Sequence, residues 1–162
     1  MNILILCTGN SARSILGEAL VNSHADKGLR GYSAGSTPKG APHPMALEVL
    51  SERKHDTSHF ASKSWDVFAG EDAPSMDIII TVCDNAAGEA CPYWPGHPVQ
   101  AHWGLPDPAA IDDPEAQRQA FETTYSDLKS RVDALATLPF DELDANALRT
   151  AVQAIHDRAI DA

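Results

Sequence analysis

Cys7-Thr8-Gly9-Asn10-Ser11-Ala12-Arg13-Ser14 puts a cysteine and an arginine six positions apart, with a hydroxyl residue directly after the arginine. A loop of that length can curl around a tetrahedral anion with its N–H groups inward, as a nest closed by the positive end of a following helix. Gly9 is expected to supply a backbone conformation closed to most residues, and Asn10 is one of the few others that tolerate it. The helix dipole and the Arg13 charge favour the Cys7 thiolate, the form that acts as a nucleophile. Arg13 offers a planar fork that matches two oxygens of one anion, which lysine cannot reproduce, and the Ser14 hydroxyl can donate to the thiolate. The chemistry implied is attack by sulfur on a bound oxyanion, with Thr8, Gly9, Asn10, Ser11, Ala12, Arg13 and Ser14 as the binding loop. The same residues could arise by chance from a strand-end cysteine and a capping arginine, so a strand before and a helix after the loop are required.

The flanking sequence meets that requirement. Asn2 to Leu6 is a short apolar run that reads as a buried strand, and a helix from about Arg13 carries Ile15, Leu16, Ala19 and Leu20 at one-sided spacing. A second strand is expected over Leu29 to Ala34, and a helix from Pro44 through Met45, Leu47, Val49 and Leu50. Asp56 to Asp72 is mixed, with a short helix around Trp65 to Phe68. Asp77 to Val82 is β-branched and bounded by polar residues, a buried strand that runs directly into Cys83. Asp84 to Pro98 holds glycines and prolines and reads as a long connection. Gln100 to Leu105 is expected as a fourth strand ending at Pro106-Asp107-Pro108. Asp113 then caps a long helix with Pro114 at its first position and Phe121, Tyr125, Leu128, Val132 and Leu135 along one side. A last helix at about 144–160 repeats the pattern with Leu148, Val152, Ile155 and Ala159. Strands alternating with helices imply an open α/β sheet of about four parallel strands with helices on both faces, in three layers, with sites outside the carboxyl ends of the strands. Cys7, Cys83 and Asp107 follow the first, third and fourth strands, which gathers them at one end of the sheet.

The 162 residues have the size of one domain, taken as residues 1–162 with the last helix as an extra element. A net charge of −11 argues against nucleic acid or an acidic membrane surface as a partner, so anion chemistry must be carried by a pocket. The N-terminal residues lack the features of a signal peptide and no apolar stretch reaches membrane-spanning length, so a cytoplasmic, monomeric protein is expected. Three cysteines and seven scattered histidines fit neither a disulfide scaffold nor a zinc template, and no metal is expected. Taken alone, Cys83 and Cys91 are as readily small buried hydrophobes as working thiols, and Asp107 is as readily a turn residue before Pro108 as an acid.

The loop, together with Tyr32-Ser33-Ala34-Gly35 and Asp107-Pro108, resembles the low-molecular-weight tyrosine phosphatase family. Thr81-Val82-Cys83, Cys91-Pro92 and His102-Trp103-Gly104 resemble its thioredoxin-coupled arsenate reductase branch, over Asn2 to about Ala136. The resemblance implies that Cys7 is the nucleophile, that Arg13 and the loop amides bind the oxyanion, and that Asp107 protonates the departing oxygen. It implies that arsenate is the substrate, with phosphate or sulfate as mimics. Cys83 would expel arsenite by attacking Cys7, and Cys91 would then attack Cys83 to leave a surface disulfide. No cofactor is held; an external thiol donor is implied, either thioredoxin or glutathione with glutaredoxin. The glycine- and proline-rich loop must move for these pairs to meet.

Three details depart from the family. Its second loop cysteine is Ala12 here, and Cys83 and Cys91 stand one residue further apart than in thioredoxin-coupled members. Where some relatives have an Asp that helps counterparts of Asn10, Glu18 and Ser33 bind potassium, this chain has Lys63, whose ammonium would replace the ion and orient Asn10 through Glu18. Two other functions use part of the same residues. A phosphatase for phosphotyrosine or a small phosphoester needs Cys7, Arg13 and Asp107, but members of this fold carry aromatic residues after the Asp-Pro pair where this chain has Ala109 and Ala110. A non-catalytic oxyanion sensor would have no use for Asp107 or the two later thiols. His102, Trp103, Trp65, Phe68 and Trp94 are expected to pack rather than react.

Overall fold

Strand β1 (Asn2–Cys7) alternates Ile3, Ile5 and Cys7 on one face with Leu4 and Leu6 on the other, and all five side chains are buried. A strand covered on both faces reads as a continuous apolar run, which is what a central parallel strand requires. In the computed structural model, which describes residues 1–83 and 97–161, β1 lies between β2 (Arg30–Gly35) and β3 (Ile78–Thr81), and β4 (Val99–His102) completes an all-parallel sheet in the order β2-β1-β3-β4. The architecture is the expected open α/β sheet.

Helices α1 (Arg13–Asn22), α2 (Pro44–Glu52), α3 (Pro114–Leu135) and α4 (Ala145–Asp161) all feed the larger core, on the face of Ile3 and Ile5. The other face is covered, among the described residues, by Phe68 and Trp65 of a 3-10 turn (Trp65–Phe68) and by Met76, packed on Leu4, Leu6, Ala34 and Ile79. Helix starts follow the expected chemistry. Asp113 accepts from the Ala116 amide with Pro114 next to it, and the His43 Nδ1 accepts from the Met45 amide ahead of α2.

Both outer strands are closed by a side-chain carboxamide. Asn22 on α1 accepts from Gly31 N at 2.8 Å and donates to Gly31 O at 3.2 Å. On the opposite edge Gln153 of α4 accepts from His102 N at 2.8 Å and donates to His102 O at 2.9 Å. Each amide stands in for a further strand and leaves no bare edge at that point. Helix α4 is also tied through the fully buried Trp103, whose Nε1 donates to Val152 O at 3.0 Å. His102 and Trp103 thus close the end of the sheet, and Trp65 and Phe68 pack, as expected. Trp94 lies outside the described residues.

The fourth strand stops at His102 rather than at Leu105. Trp103 and Leu105 still donate to Thr81 O and Val82 O, but after His102 the chain turns the Trp103 ring inward, against α4, and the Leu105 carbonyl toward Arg13. Ala159 lies on the exposed last turn of α4, past the core.

Candidate active site

The sheet register alone sets the two described thiols side by side. Cys7 is level with Gly35 on one flank, Leu6 is level with Thr81 on the other, and Val82 N donates to Leu6 O. One step further along, Thr8 meets Cys83. The Thr8 amide donates to Cys83 Sγ at 3.3 Å, and the Thr8 hydroxyl lies 3.4 Å from the same sulfur. Both thiols are 4% exposed, and Cys7 carries no disulfide. The strand order reverses between β1 and β3, the topological point at which α/β sheets hold ligands.

The loop from Cys7 to Arg13 is held open by two outer segments. Thr37 N donates to Thr8 O at 2.9 Å, Lys39 N to Gly9 O at 3.0 Å and His43 N to Ser11 O at 2.8 Å. The Ser62 hydroxyl adds a second bond to Gly9 O. With those carbonyls occupied on the outside and the Thr8 amide given to Cys83, the amides from Gly9 onward are left for an anion, as a nest requires. Helix α1 then begins after Ala12 with no side-chain cap and no acidic residue in its first turn, so its first amides remain open to an anion.

The backbone of the loop differs from expectation at Gly9. Gly9 does not take a positive φ; Asn10 does, at 45°. Gly9 instead leaves room for the Lys39 stem, whose Cγ, Cδ and Cε lie 3.1–3.2 Å from where a Cβ would be. The steric demand falls on Gly35, where a Cβ would run into the carbonyls of Cys7 and Thr8 and the amide of Asn10. That is a reason for glycine at the end of β2.

Behind Cys7 runs a buried polar chain. Asn10 Oδ1 accepts from the Lys63 amide at 2.8 Å, which leaves Asn10 Nδ2 to donate to Ser14 Oγ at 2.8 Å. Because that oxygen already accepts, its proton is available to Cys7 Sγ, 3.3 Å away. Glu18 and Ser33 form an adjoining cluster: Ser33 Oγ donates to Glu18 Oε1 at 2.6 Å, and Lys63 Nζ stands 3.6 Å from that oxygen and 3.4 Å from Ser33 Oγ. Burial pulls the Lys63 ammonium below its usual range, while the Glu18 charge opposes the shift. Asn10 is therefore oriented by the main chain of Lys63 directly, and not through Glu18; the ammonium serves Glu18 and Ser33.

Arg13 faces the loop from the far side. Its Nη1 donates to Leu105 O at 2.7 Å, its Nη2 stands 3.8 Å from Asp107 Oδ2, and its buried Nε has no hydrogen-bond partner. Anchoring Nη1 leaves the Nε and Nη2 edge, the pair of donors that binds two oxygens of one anion. Asp107 is the turn residue expected before Pro108, with Oδ1 capping the turn Pro108–Ala110 through Ala109 N, and its Oδ2 faces Arg13. Cys7, Arg13 and Asp107 line a cavity of about 410 Å³, together with Thr8, Gly9, Ser11, Ala12 and, from the outer segment, Thr37, Pro38 and Lys39. Among the described residues no three His, Cys, Asp or Glu side chains converge as metal ligands.

The sequence that builds this loop matches a known family model. The model, low molecular weight phosphotyrosine protein phosphatase, spans residues 2–150. The chain belongs to that family. Within the low molecular weight phosphatase family it is similar to an arsenate reductase of Bacillus licheniformis, 35% identical over 119 residues that cover 74% of this chain and 82% of the relative. It resembles a solved arsenate reductase in the phosphate binding state, with a TM-score of 0.64 and 25% identity over 83% of this chain and 95% of that one. It also resembles a thioredoxin-dependent arsenate reductase of Corynebacterium glutamicum, with a TM-score of 0.59 and 26% identity over 83% of this chain and 59% of the other. The family match reaches residue 150, into α4, further than the motifs alone indicate.

The structure thus brings together Cys7 to Ser14, Cys83 and Asp107, with Glu18, Ser33 and Lys63 behind them. Cys91 lies outside the described residues. Sequence reasoning missed Thr37, Pro38, Lys39, Ser62 and the Leu105 carbonyl. The signal for the first three was the Ser-Thr-Pro-Lys-Gly run directly after Gly35, a turn composition placed next to the loop by the register of β2; nothing local marked Ser62 or Leu105. No helix among the described residues is long and apolar enough to cross a membrane.

Proposed function

We propose that this protein is an arsenate reductase in which Cys7, Cys83 and Cys91 pass oxidation along in turn. The observation that carries the reading is the Cys83 sulfur, bonded by the amide and hydroxyl of the residue next to Cys7. A phosphatase needs water in that place and has no use for a second thiol.

The Cys7 thiolate attacks the arsenic of arsenate, bound by the loop amides and the Nε and Nη2 edge of Arg13. An oxygen leaves as water once Asp107 gives it a proton, and a Cys7 sulfur–arsenic(V) bond remains. The Cys83 thiolate attacks the Cys7 sulfur, and the sulfur–arsenic bond breaks with its electron pair on arsenic, which departs as arsenite. The Cys7–Cys83 disulfide is opened by the Cys91 thiolate, which frees Cys7 and forms Cys83–Cys91. An external thiol donor, thioredoxin or two molecules of glutathione with glutaredoxin, returns the two electrons. The reading places the enzyme in the cytoplasm, where thiols stay reduced.

Arsenite production from arsenate by the wild type, Cys83→Ser and Cys91→Ser, with each donor system supplied separately, tests the relay. Turnover lost in both variants with thioredoxin is the expected result and names the donor. Absence of arsenite with either system, with cleavage of an aryl phosphate instead, would make the protein a phosphatase.

A further inference from the structure

The charges that meet in the cavity do not suit an anion without help. Arg13 is the one cation in the Cys7–Arg13 loop, and on the oxyanion reading it is opposed by the Cys7 nucleophile's thiolate and, until its carboxyl takes up the proton it later gives the departing oxygen, by Asp107, 3.8 Å away. Those three alone present a net negative charge to a dianion, in a chain whose overall charge is −11. Lys63 does not correct this, because its ammonium is engaged with Glu18, Ser33 and Ala61 O. Lys39 lines the cavity as well.

We propose that Lys39 is a second cationic binding residue, which draws the oxyanion into the cavity and holds it together with Arg13. The inference rests on the oxyanion reading of the Cys7 loop and names a determinant of its substrate class: a small, doubly charged inorganic oxyanion. Three observations support it. The Lys39 backbone is fixed to the loop by its bond to Gly9 O, with Thr37 fixed to Thr8 O two residues earlier. Its stem runs along Gly9, where the missing side chain makes room for it. Among the described residues no carboxylate pairs with its ammonium. An exposed lysine so rooted can reach an incoming anion in water and follow it to the mouth, whereas Arg13 is held by Leu105 and Asp107. With Lys39 counted, the cavity's fixed charges balance, and a dianion meets no net repulsion.

The test reads anion binding without turnover. Iodoacetamide labels Cys7, the extent is read on the Cys7 peptide by mass spectrometry, and inorganic phosphate is added as the protecting anion. Lys39→Met keeps the aliphatic cover over Gly9 and removes only the charge; Lys39→Arg restores it. Loss of one screened charge opposite a dianion should raise the half-protecting phosphate concentration about three- to tenfold at low salt. The difference should shrink as sodium chloride is raised, and Lys39→Arg should stay within about twofold of wild type by the same reasoning. Equal protection in wild type and Lys39→Met, a difference that salt does not reduce, or an arginine variant as weak as the methionine one would overturn the proposal. No phosphate protection in the wild type would take down the oxyanion site and Lys39 with it. Failure to make arsenite, with protection intact, would remove only the reductase reading.

Discussion

Asn10 is the joint on which the buried side of the site turns, and its replacement separates three physical terms. Asn10→Ala strands two buried partners, the Lys63 amide and one acceptor site on Ser14 Oγ, each worth about 1–3 kcal/mol. It also holds alanine at the φ of 45°, which costs roughly a further 1 kcal/mol. The sum is a loss of about 3–7 kcal/mol of folding stability, a large part of what a domain of this size has. Asn10→Gly loses the same bonds but relaxes the backbone, so the gap between the two variants, about 1 kcal/mol, reads the conformational term alone. Asn10→Asp keeps an acceptor for Lys63 N–H but cannot donate to Ser14, whose proton then turns to the new carboxylate and away from Cys7. A hydrogen bond to a charged group is worth about 1.5–3 kcal/mol, so Cys7 alkylation at neutral pH should slow about tenfold or more in that variant. Urea unfolding followed by tryptophan fluorescence gives the stabilities, and iodoacetamide labelling of the Cys7 peptide gives the reactivity. An Asn10→Asp protein that alkylates at the wild-type rate, or an Asn10→Ala protein within about 1 kcal/mol of wild type, would refute the chain from Lys63 through Asn10 and Ser14 to Cys7.

Three further outcomes follow from the same cluster and from the part-buried histidines. Lys63→Met leaves Glu18, 6% exposed, with Ser33 and the His59 ring 4.0 Å away; since the Lys63 side chain is itself 27% exposed, the loss is about 1–3 kcal/mol rather than that of a fully buried pair. With Lys63 in place, replacing sodium by potassium at constant ionic strength should change neither Tm nor activity, and clear potassium activation would remove the ammonium from its assigned place. His156 and His55 are both held below their ordinary value of 6.5, chiefly by burial and then by Arg131 and Arg53. As pH falls below 6.5 the unfolded chain takes up those protons first, so stability is full above that value and declines as pH drops through the folded-state values. His156→Gln keeps an acceptor for Arg131 Nε and removes one proton site. Its urea midpoint should therefore fall less steeply with acid than that of the wild type, and identical slopes would exclude His156 from the effect.

Long apolar or helical periods were legible because they are local. Asn2 to Leu6, the Asp113-Pro114 helix start and the 3-10 turn at Trp65–Phe68 each carry their own signal within a few residues. The Cys7–Arg13 loop was legible for the same reason. What the chain does not announce is which distant backbone groups hold that loop open. Ser62 is 53 positions from Gly9, and Leu105 is 92 from Arg13; only the sheet order makes them neighbours. Gly9 shows the limit from the other side. A glycine in a tight loop suggests a positive φ, yet here the left-handed residue is Asn10, and the glycine serves packing against Lys39. The type of residue states what a position permits, and the neighbours decide which permission is used.

The register that sets Thr8 against Cys83 also divides the loop's work. The Thr8 amide and hydroxyl both face the Cys83 sulfur, so the first residue of the loop is committed to the second thiol. An anion in the cavity is left to the amides from Gly9 onward, the open first turn of α1 and the Nε and Nη2 edge of Arg13. Under the proposed relay, Cys83 must leave Thr8 to reach Cys7, and its departure returns one N–H to the loop just as the anion's charge is lost. Thr8 thereby ties the position of the second sulfur to the binding capacity of the first sulfur's loop. A phosphatase acting through water would gain nothing from that tie, so the Thr8 to Cys83 bond argues for reduction independently of any likeness to other proteins.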